Sequence, residues 1–155
     1  MESINNLNLQ NQNKKESAVK SSFFFLFVIF VDQLSKHYAN NIFYNNNFAF
    51  SLPLPIWLIY GIYFFVLTGM IFYVLGNYDK LGKLSKIAWI LIFAGAVSNI
   101  AERIFTGHVR DFIFISFMKW VGVYNLADFF IIIGIIVLAI PASLFNHYPN
   151  DIKSF

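Results

Sequence analysis

The chain has 155 residues, a length that suits one domain, and a formal net charge of +3, which is too small to argue for a nucleic-acid partner. Hydrophobic residues make up 58% and charged residues only 12% of the sequence, whereas soluble domains carry roughly 25% charged residues. This excess of apolar residues predicts a membrane protein. Cysteine is absent, which excludes a disulfide framework, a thiol nucleophile and a cysteine-ligated metal. The histidines are far apart in the sequence, so we expect no metal and no cofactor.

The N-terminal segment, residues 1–21, is polar, rich in Asn and carries three lysines. Such a composition cannot form a core and predicts a disordered cytoplasmic tail. The alternative is a signal peptide with residues 23–31 as its apolar centre. We reject it because no small-x-small cleavage site follows and three more apolar segments come later.

The first membrane-spanning helix is expected over residues 22–40, although Asp32 and Lys36 interrupt its apolar run. These two residues are four positions apart, so they share a helix face and can pair. The pair could simply neutralise itself near the helix end, or it could support a functional site. The sequence leaves both interpretations open.

The middle of the chain contains the clearest membrane segment. Residues 41–55 form a short connection, in which an Asn run and two prolines indicate turns. Residues 56–75 carry no charge and are long enough to cross a bilayer. A polar loop over residues 76–86 precedes a third apolar span, predicted over residues 87–101.

The last part of the chain begins with a loop of about twenty residues. Within it, residues 109–117 are rich in aromatic and β-branched residues and predict a strand. A fourth span is expected from Leu126 to about residue 145. Asn125 is a suitable N-cap for this helix, with Asp128 three residues further on.

The fold class predicted from these segments is an all-α integral membrane domain of four transmembrane helices over residues 22–147, followed by a short C-terminal tail at residues 148–155. The lysines of the N-terminal segment and of the 76–86 loop lie on one side if four spans cross in turn, which makes that side cytoplasmic. The loop with Asn45 and the loop over residues 103–125 are then outside. Three basic residues on the outer side weaken this bias: Arg103, Arg110 and Lys119.

Polar groups are concentrated between the third and fourth spans. A charge close to hydrocarbon costs on the order of 2.5–3.5 kcal/mol on insertion scales, so groups in such places usually have a function. The polar residues of this region are Asn99, Glu102, Arg103, Asp111, Asn125 and Asp128.

Asp111 and Asp128 flank the outer end of the fourth span. Two carboxylates that meet can share one proton, so that one activates a water while the other polarises a carbonyl. That chemistry hydrolyses peptides without cysteine or metal. Spacing alone does not show that the two meet, and singly Asp128 could serve the helix dipole while Asp111 could be a solvated residue at a strand end.

Five segments together resemble the lipoprotein signal peptidases, the type II signal peptidases of bacteria. Residues 32–36 match Asp-x-x-Ser/Thr-Lys, and residues 45–50 are similar to Asn-x-Gly-Ala-Ala-Phe. Residues 95–103 fit Gly-Ala-x-x-Asn-x-x-Asp-Arg with glutamate for the aspartate. Residues 107–112 match Gly-x-Val-x-Asp-Phe, and residues 124–128 look like Phe-Asn-x-Ala-Asp. The resemblance covers nearly everything after the N-terminal segment.

This resemblance implies an aspartic endopeptidase whose catalytic dyad is Asp111 and Asp128. The enzyme would remove the signal peptide of diacylglyceryl-modified prolipoproteins by cleaving before the lipidated cysteine, at the outer face of the bacterial cytoplasmic membrane. Its partners would be those substrates and membrane lipid, and a monomer is expected. Supporting or substrate-binding roles would fall to seven residues: Asp32, Lys36, Asn45, Asn99, Glu102, Arg103 and Asn125.

The resemblance also implies a small extracytoplasmic sheet that cradles the substrate, built here from residues 45–52 and 109–117. Glu102 is expected to pair with Arg103 or another basic group beside the site, and a shorter aspartate there is expected to keep or raise activity. Asn47 replaces a glycine that can adopt positive φ, and the short connection over residues 50–56 predicts a reduced lid.

Two other functions are compatible with some of these residues. A small proton- or ion-coupled transporter could use Asp32, Asp111 and Asp128 as a relay, because intramembrane carboxylates also suit that class. The absence of an internal repeat and the clustering of charges at one surface argue against it. An inactive family member acting as a binding protein is the other alternative, and the presence of both aspartates argues against that.

Overall fold

Four α-helices make up most of the structure, a computed structural model that describes residues 2–46, 54–115 and 122–140. A short 3-10 turn at Tyr78–Lys80 joins the second helix to the third. The four helices are α1 (Glu2–Tyr38), α2 (Ile56–Asn77), α3 (Lys83–Thr106) and α4 (Leu126–Ala139).

Three of the described helices are long and apolar enough to cross a membrane, over Asn8–Tyr38, Trp57–Lys80 and Lys83–Thr106. Large apolar side chains on α1 and α2, such as Phe30 and Phe65, are exposed, as expected of surfaces that face lipid rather than water. The chain is therefore a multi-pass membrane protein. α4 has 14 residues, and its predicted continuation to residue 145 lies outside the described residues, so the fourth crossing stays a prediction.

The N-terminal segment differs from the disordered tail that its composition predicted. α1 begins at Glu2 and continues without a break to Tyr38. This stretch contains neither glycine nor proline, the two residues that most strongly oppose a helix interior. Its outer turns are exposed, and Lys20 pairs with Glu16 at 2.6 Å one turn away. The apolar part of α1 therefore continues towards the N-terminus as a polar part of the same helix.

The core of the fold is the packing of α3 against α4 and α1. Two glycines make the first of these contacts close. A Cβ added at Gly95 would lie 2.5 Å from the Ala127 carbonyl oxygen, and one at Gly134 would lie 2.5 Å from Ile92 Cγ1. Small residues allow helix backbones to approach in this way in membranes. The first turn of α4 is consequently held beside the second half of α3.

Within the described residues, four short strands form two antiparallel pairs. β1 (Phe43–Asn45) pairs with β2 (Val109–Asp111), with Asn45 opposite Val109 and Phe43 opposite Asp111. β3 (Ile113–Phe114) pairs with β4 (Val123–Tyr124). These strands connect the described ends of α1, α3 and α4.

Of the predicted strand at residues 109–117, the described part is divided in two, and residues 116–117 lie outside the described residues. It breaks at Phe112, whose N–H donates to the Tyr124 carbonyl oxygen at 2.9 Å. Of the predicted 45–52 strand, Asn45 lies in β1, and residues 47–53 lie outside the described residues together with the Asn47 departure. The small antiparallel sheets expected of the fold are present, and a cradle around a substrate stays a prediction.

The helix ends bracket the polar region. α3 continues past the predicted end at residue 101 and stops at Gly107, whose φ of 80° and bond from its N–H to the Arg103 carbonyl oxygen form a left-handed C-cap. α4 begins where predicted, at Leu126. Asn125 and Asp128 form a capping box there, each side chain accepting from the other's backbone N–H.

Candidate active site

Asp111 is buried at the end of β2, with 2% of its surface exposed. Both of its carboxyl oxygens accept hydrogen bonds from amide side chains. Asn45 Nδ2 on β1 donates to Oδ2 at 2.9 Å, and Asn125 Nδ2 donates to Oδ1 at 2.6 Å. The strand pairing and the start of α4 thus hold this carboxyl from two sides.

Asp128 lies in the first turn of α4 and has the same kind of environment. Asn99 Nδ2 on α3 donates to its Oδ1 at 2.9 Å, and the backbone N–H of Asn125 donates to its Oδ2 at 3.1 Å. Each oxygen of both aspartates therefore accepts one N–H donor. Since a carboxyl oxygen has two lone pairs, each retains the capacity for a proton or a water.

Asn125 joins the two aspartates. Its side-chain oxygen accepts the N–H of Asp128 at 3.0 Å, which turns its Nδ2 towards Asp111. One residue is therefore hydrogen-bonded to both carboxyls, so the strand-end aspartate and the helix-start aspartate are neighbours. Spacing in the sequence had left this convergence undetermined.

Burial raises the pKa of the Asp111 carboxyl from 3.8 to about 6. The hydrogen bonds from Asn45 and Asn125 oppose this effect because they favour the ionised form, while repulsion by Asp128 adds to it. Lys36 also lowers the pKa of Asp111 through its positive charge. The result is a carboxyl that can hold or release a proton close to neutral pH.

Lys36 connects the first helix to this pair. The Lys36 side chain is fully buried. Its ammonium group lies 2.9 Å from Asp32 Oδ2 and 2.8 Å from Glu102 Oε2. It also donates a hydrogen bond to Asn99 Oδ1 at 2.8 Å. The ammonium group therefore lies within 3 Å of two carboxylate oxygens and one amide oxygen. Because the Asn99 oxygen faces Lys36, the Asn99 amide nitrogen faces Asp128. Of the two interpretations of the Asp32–Lys36 pair, these contacts favour support of a site.

Asp32 ties α1 to the other two helices of the core. Its Oδ1 accepts the backbone N–H of Ala127 at 2.8 Å, and its Oδ2 accepts the hydroxyl of Ser98 at 2.7 Å. Ser98 in turn accepts from Gln33 Nε2 at 2.8 Å. The Ala127 N–H is one of the helix-start donors that lack an intrahelical partner, so Asp32 fixes the first turn of α4.

Arg103 lies on the side of the site that faces α2. Its Nη1 donates to the Tyr63 hydroxyl at 2.9 Å, and its Nη2 donates to the Asn45 carbonyl oxygen at 3.3 Å. The Tyr60 hydroxyl donates to the Arg103 carbonyl oxygen at 3.3 Å. Glu102 was expected to pair with Arg103 or another basic group beside the site, and it contacts two such other groups, Lys36 and Arg110.

All nine residues selected from the sequence lie in this one region, and the structure adds others that the sequence reasoning missed. Gln33, Ser98 and Arg110 are adjacent in the chain to Asp32, Asn99 and Asp111, and each stands at an unspecified position of a motif. Adjacency was the only signal for them. Tyr63 lies in a helix without any motif, and nothing in the sequence distinguishes it from the other aromatic residues of α2.

A groove of about 420 Å³ lies between α2, α3 and α4. Its exposed lining is apolar and includes Val66, Met70, Ile92 and Ile131. Tyr63 lines the groove and also accepts from Arg103. Tyr63 therefore lies both at the groove and at the Arg103 side of the polar region.

Known proteins resemble this chain in sequence. The family described as "Signal peptidase (SPase) II" matches residues 24–144. A lipoprotein signal peptidase of Fusobacterium nucleatum is 32% identical over 77 residues, which are 50% of this chain and 46% of that protein. One of Chlamydia trachomatis serovar L2 is 38% identical over 74 residues, 47% of this chain and 44% of that protein. The chain thus spans about half the length of these curated relatives.

A third relative and two solved structures cover more of the chain. The lipoprotein signal peptidase of Hydrogenovibrio crunogenus is 26% identical over 147 residues, 80% of this chain and 85% of that protein. Two structures described as bacterial membrane enzymes, each 22% identical, have TM-scores of 0.63 and 0.64. They cover 88% and 83% of this chain and 93% and 94% of their own lengths, which establishes a shared fold. The match over residues 24–144 shows that the chain belongs to the signal peptidase II family.

Proposed function

We propose that the protein is a membrane aspartic endopeptidase that removes the signal peptide from diacylglyceryl-modified prolipoproteins, cleaving before the lipidated cysteine. The observation that carries this proposal is the bonding of Asn125 to both aspartates, 2.6 Å to Asp111 and 3.1 Å to Asp128. Family membership supplies the reaction class, and the two neighbouring carboxyls supply groups able to perform it.

The proposed reaction uses one proton shared by Asp111 and Asp128. The ionised carboxylate takes a proton from a water as the water oxygen attacks the scissile carbonyl carbon. The protonated carboxyl donates to the carbonyl oxygen, which becomes a hydroxyl of the tetrahedral intermediate. When the carbon–nitrogen bond breaks, the leaving nitrogen takes the proton that came from the water. The intermediate's hydroxyl returns its proton to the second carboxylate, which restores the pair.

The supporting residues keep the two carboxyls ready for this exchange. Amide donors from Asn45, Asn99 and Asn125 stabilise the ionised form without offering an acidic proton of their own. Burial has the opposite effect, and it raises the pKa of Asp111 to about 6. The balance lets a single proton move within the pair near neutral pH, as general acid–base catalysis requires.

The substrate is proposed to approach along the membrane. Its diacylglyceryl group would hold the scissile bond at the surface where Asp111 and Asp128 meet. The apolar groove of about 420 Å³ beside Tyr63 suits an apolar segment of such a substrate. The charged Arg103 between the groove and β1 suits the polar backbone next to the scissile bond.

The remaining proposals concern the whole protein. Four spans cross the bacterial cytoplasmic membrane, with the N-terminus and the loop around Lys83 in the cytoplasm and the site outside. The peptidase unit covers residues 22–147, the protein acts as a monomer, and prolipoproteins and membrane lipid are its partners. A transporter using Asp32 would need that carboxylate to exchange protons, whereas its oxygens are engaged by Lys36, Ser98 and the Ala127 N–H.

The test is cleavage by the purified full chain in lipid vesicles. We expect a diacylglyceryl-modified prolipoprotein to be cut with a new N-terminus at the lipidated cysteine, as identified by mass spectrometry. The same prolipoprotein without the lipid should be cut far more slowly, because it lacks the anchor. Equal cleavage of both forms, or a cut elsewhere, would contradict the proposal.

A further inference from the structure

Arg110 precedes Asp111 on β2 and connects this strand to two helices. Val109 and Asp111 are both buried, and the alternation of a strand directs the side chain between them to the opposite face. There Arg110 Nε donates to Glu102 Oε1 on α3, and its Nη2 donates to Gln33 Oε1 on α1 at 3.4 Å. β2 is therefore held on one face through Asp111 and on the other through Arg110.

Glu102 serves two cations at once. Its Oε1 contacts Arg110, and its Oε2 lies 2.8 Å from Lys36 Nζ. This is the position at which the chain departs from the aspartate of the family motif. An aspartate would withdraw the carboxylate by about 1.5 Å, one carbon–carbon bond. The shorter side chain could not keep the contacts with both α1 and β2.

We propose that Arg110 is a positioning residue for Asp111. Its contacts with Glu102 and Gln33 fix β2 against α3 and α1. The position of β2 in turn determines where the Asp111 carboxyl lies relative to Asp128. This inference rests on the proposed function for its consequence in catalysis. It also assigns a reason to Glu102, whose extra length reaches Arg110. An aspartate at this position is therefore expected to lower activity, contrary to the expectation from the sequence.

The effect of losing Arg110 follows from what remains around Asp111. The strand keeps its pairing with β1, and the Asp111 carboxyl keeps its two hydrogen bonds from asparagine side chains. The contacts on the other face of the strand are lost. A displacement of about 1 Å of a reacting group can cost on the order of 10²-fold in rate. A loosened strand also admits water, and burial is the main cause of the raised pKa of Asp111. The charged groups that act on Asp111 are Asp128 on α4 and Lys36 on α1, and both stay in place.

The test is a double-mutant cycle with Glu102→Asp and Arg110→Gln in the full chain, using a diacylglyceryl-modified prolipoprotein. We expect Arg110→Gln to lower kcat roughly tenfold or more, with KM changed less than about twofold, because positioning affects the reacting pair. Glu102→Asp should resemble it, and the double variant should lose little more than either. Arg110→Lys should recover part of the loss, since lysine can reach one partner but lacks the fork for two. The exposed Lys83→Gln is the control and should match the wild type.

A second readout separates positioning from general stability and needs no substrate. The pH dependence of the melting temperature between about pH 4 and pH 7.5 includes the titration of Asp111, and the difference between variant and wild type isolates the part that depends on Arg110. Arg110→Gln should shrink this dependence, because the pKa of a less buried Asp111 returns towards its ordinary value. Unchanged kcat in Arg110→Gln, or a lower melting temperature with an unchanged pH dependence, would overturn the inference. An inactive wild type would overturn the proposed function instead, while the melting data would still decide the role of Arg110.

Discussion

Replacing Asp111 by Asn is expected to abolish cleavage and, at neutral pH, to stabilise the fold. The side chain hardly changes in size, but asparagine cannot exchange a proton. Its oxygen can still accept from Asn125, whose amide is oriented by the Asp128 N–H. Its amide nitrogen would face Asn45, whose own amide would have to turn over to accept. The hydrogen-bonded frame can therefore adapt, while the chemistry is lost.

The size of the stabilising effect follows from the pKa of Asp111, which burial raises from 3.8 to about 6. Because the folded state binds this proton more tightly than the unfolded state, the free energy of unfolding falls as pH rises between these values. At 1.36 kcal/mol per pKa unit, the wild type loses about 2 kcal/mol between pH 4 and pH 7.5 through this group. The side chain introduced by Asp111→Asn does not titrate, so that part of the loss disappears in the variant.

The assay is thermal unfolding of both proteins in detergent, followed by circular dichroism at about pH 4 and pH 7.5. Comparing the two pH values cancels any constant cost of rearranging the amides. We expect the free energy of unfolding of the variant, relative to that of the wild type, to be about 2 kcal/mol higher at pH 7.5 than at pH 4. Asp79→Asn, at an exposed aspartate in the 3-10 turn, is the matched control. If variant and wild type differ in free energy of unfolding by the same amount at both pH values, the argument that Asp111 is buried with a raised pKa is refuted.

Three further predictions concern packing, the buried charges and topology. Gly95→Ala and Gly134→Ala should lower the melting temperature because a Cβ at either site would lie 2.5 Å from an atom of the facing helix, whereas Gly69→Ala, with no neighbour within 4 Å, should not. Lys36→Gln should lower the free energy of unfolding, measured by denaturant titration, by about 3–5 kcal/mol, because it removes one partner of a buried ion pair. A loss below about 1 kcal/mol would contradict this prediction. Lys83→Cys, in a chain without native cysteine, should resist a membrane-impermeant maleimide in intact cells and react after permeabilisation; labelling in intact cells would place this loop outside.

The sequence predicted the apolar helices well because their signal is strong and local. The charge-free α2 and the start of α4 at Asn125 follow from composition and from capping chemistry. The first helix was predicted too short, since a polar composition suggested disorder although neither glycine nor proline occurs before Tyr38. The end of α3 at Thr106, five residues past the predicted end, was missed because Glu102 and Arg103 were taken to mark the membrane boundary. In the fold they are buried and turn inwards.

The polar cluster and the Asp32–Lys36 pair could be predicted from the residues and their spacing. The family motifs supplied the roles in the candidate site, and the contacts between distant parts of the chain could not be predicted. The contact of Lys36 with Asn99 spans 63 residues of sequence, and that of Asn45 with Asp111 spans 66. The first contact depends on how α3 packs against α1, and the second depends on the pairing of β1 with β2. Arg110 shows the same limit, because its role depends on the reach of Glu102 from another helix.

Single-turnover cleavage by the aspartate variants tests the central claim most directly. Wild type, Asp111→Asn, Asp128→Asn and the double variant would be compared at equal amounts of folded protein in vesicles, with a diacylglyceryl-modified prolipoprotein in the membrane. We expect each single variant to lose nearly all activity and the double variant to lose no more, because the two residues act as one unit. Asp79→Asn should cleave like the wild type. Substantial cleavage by either single variant, or losses that multiply in the double variant, would contradict the proposed aspartate pair.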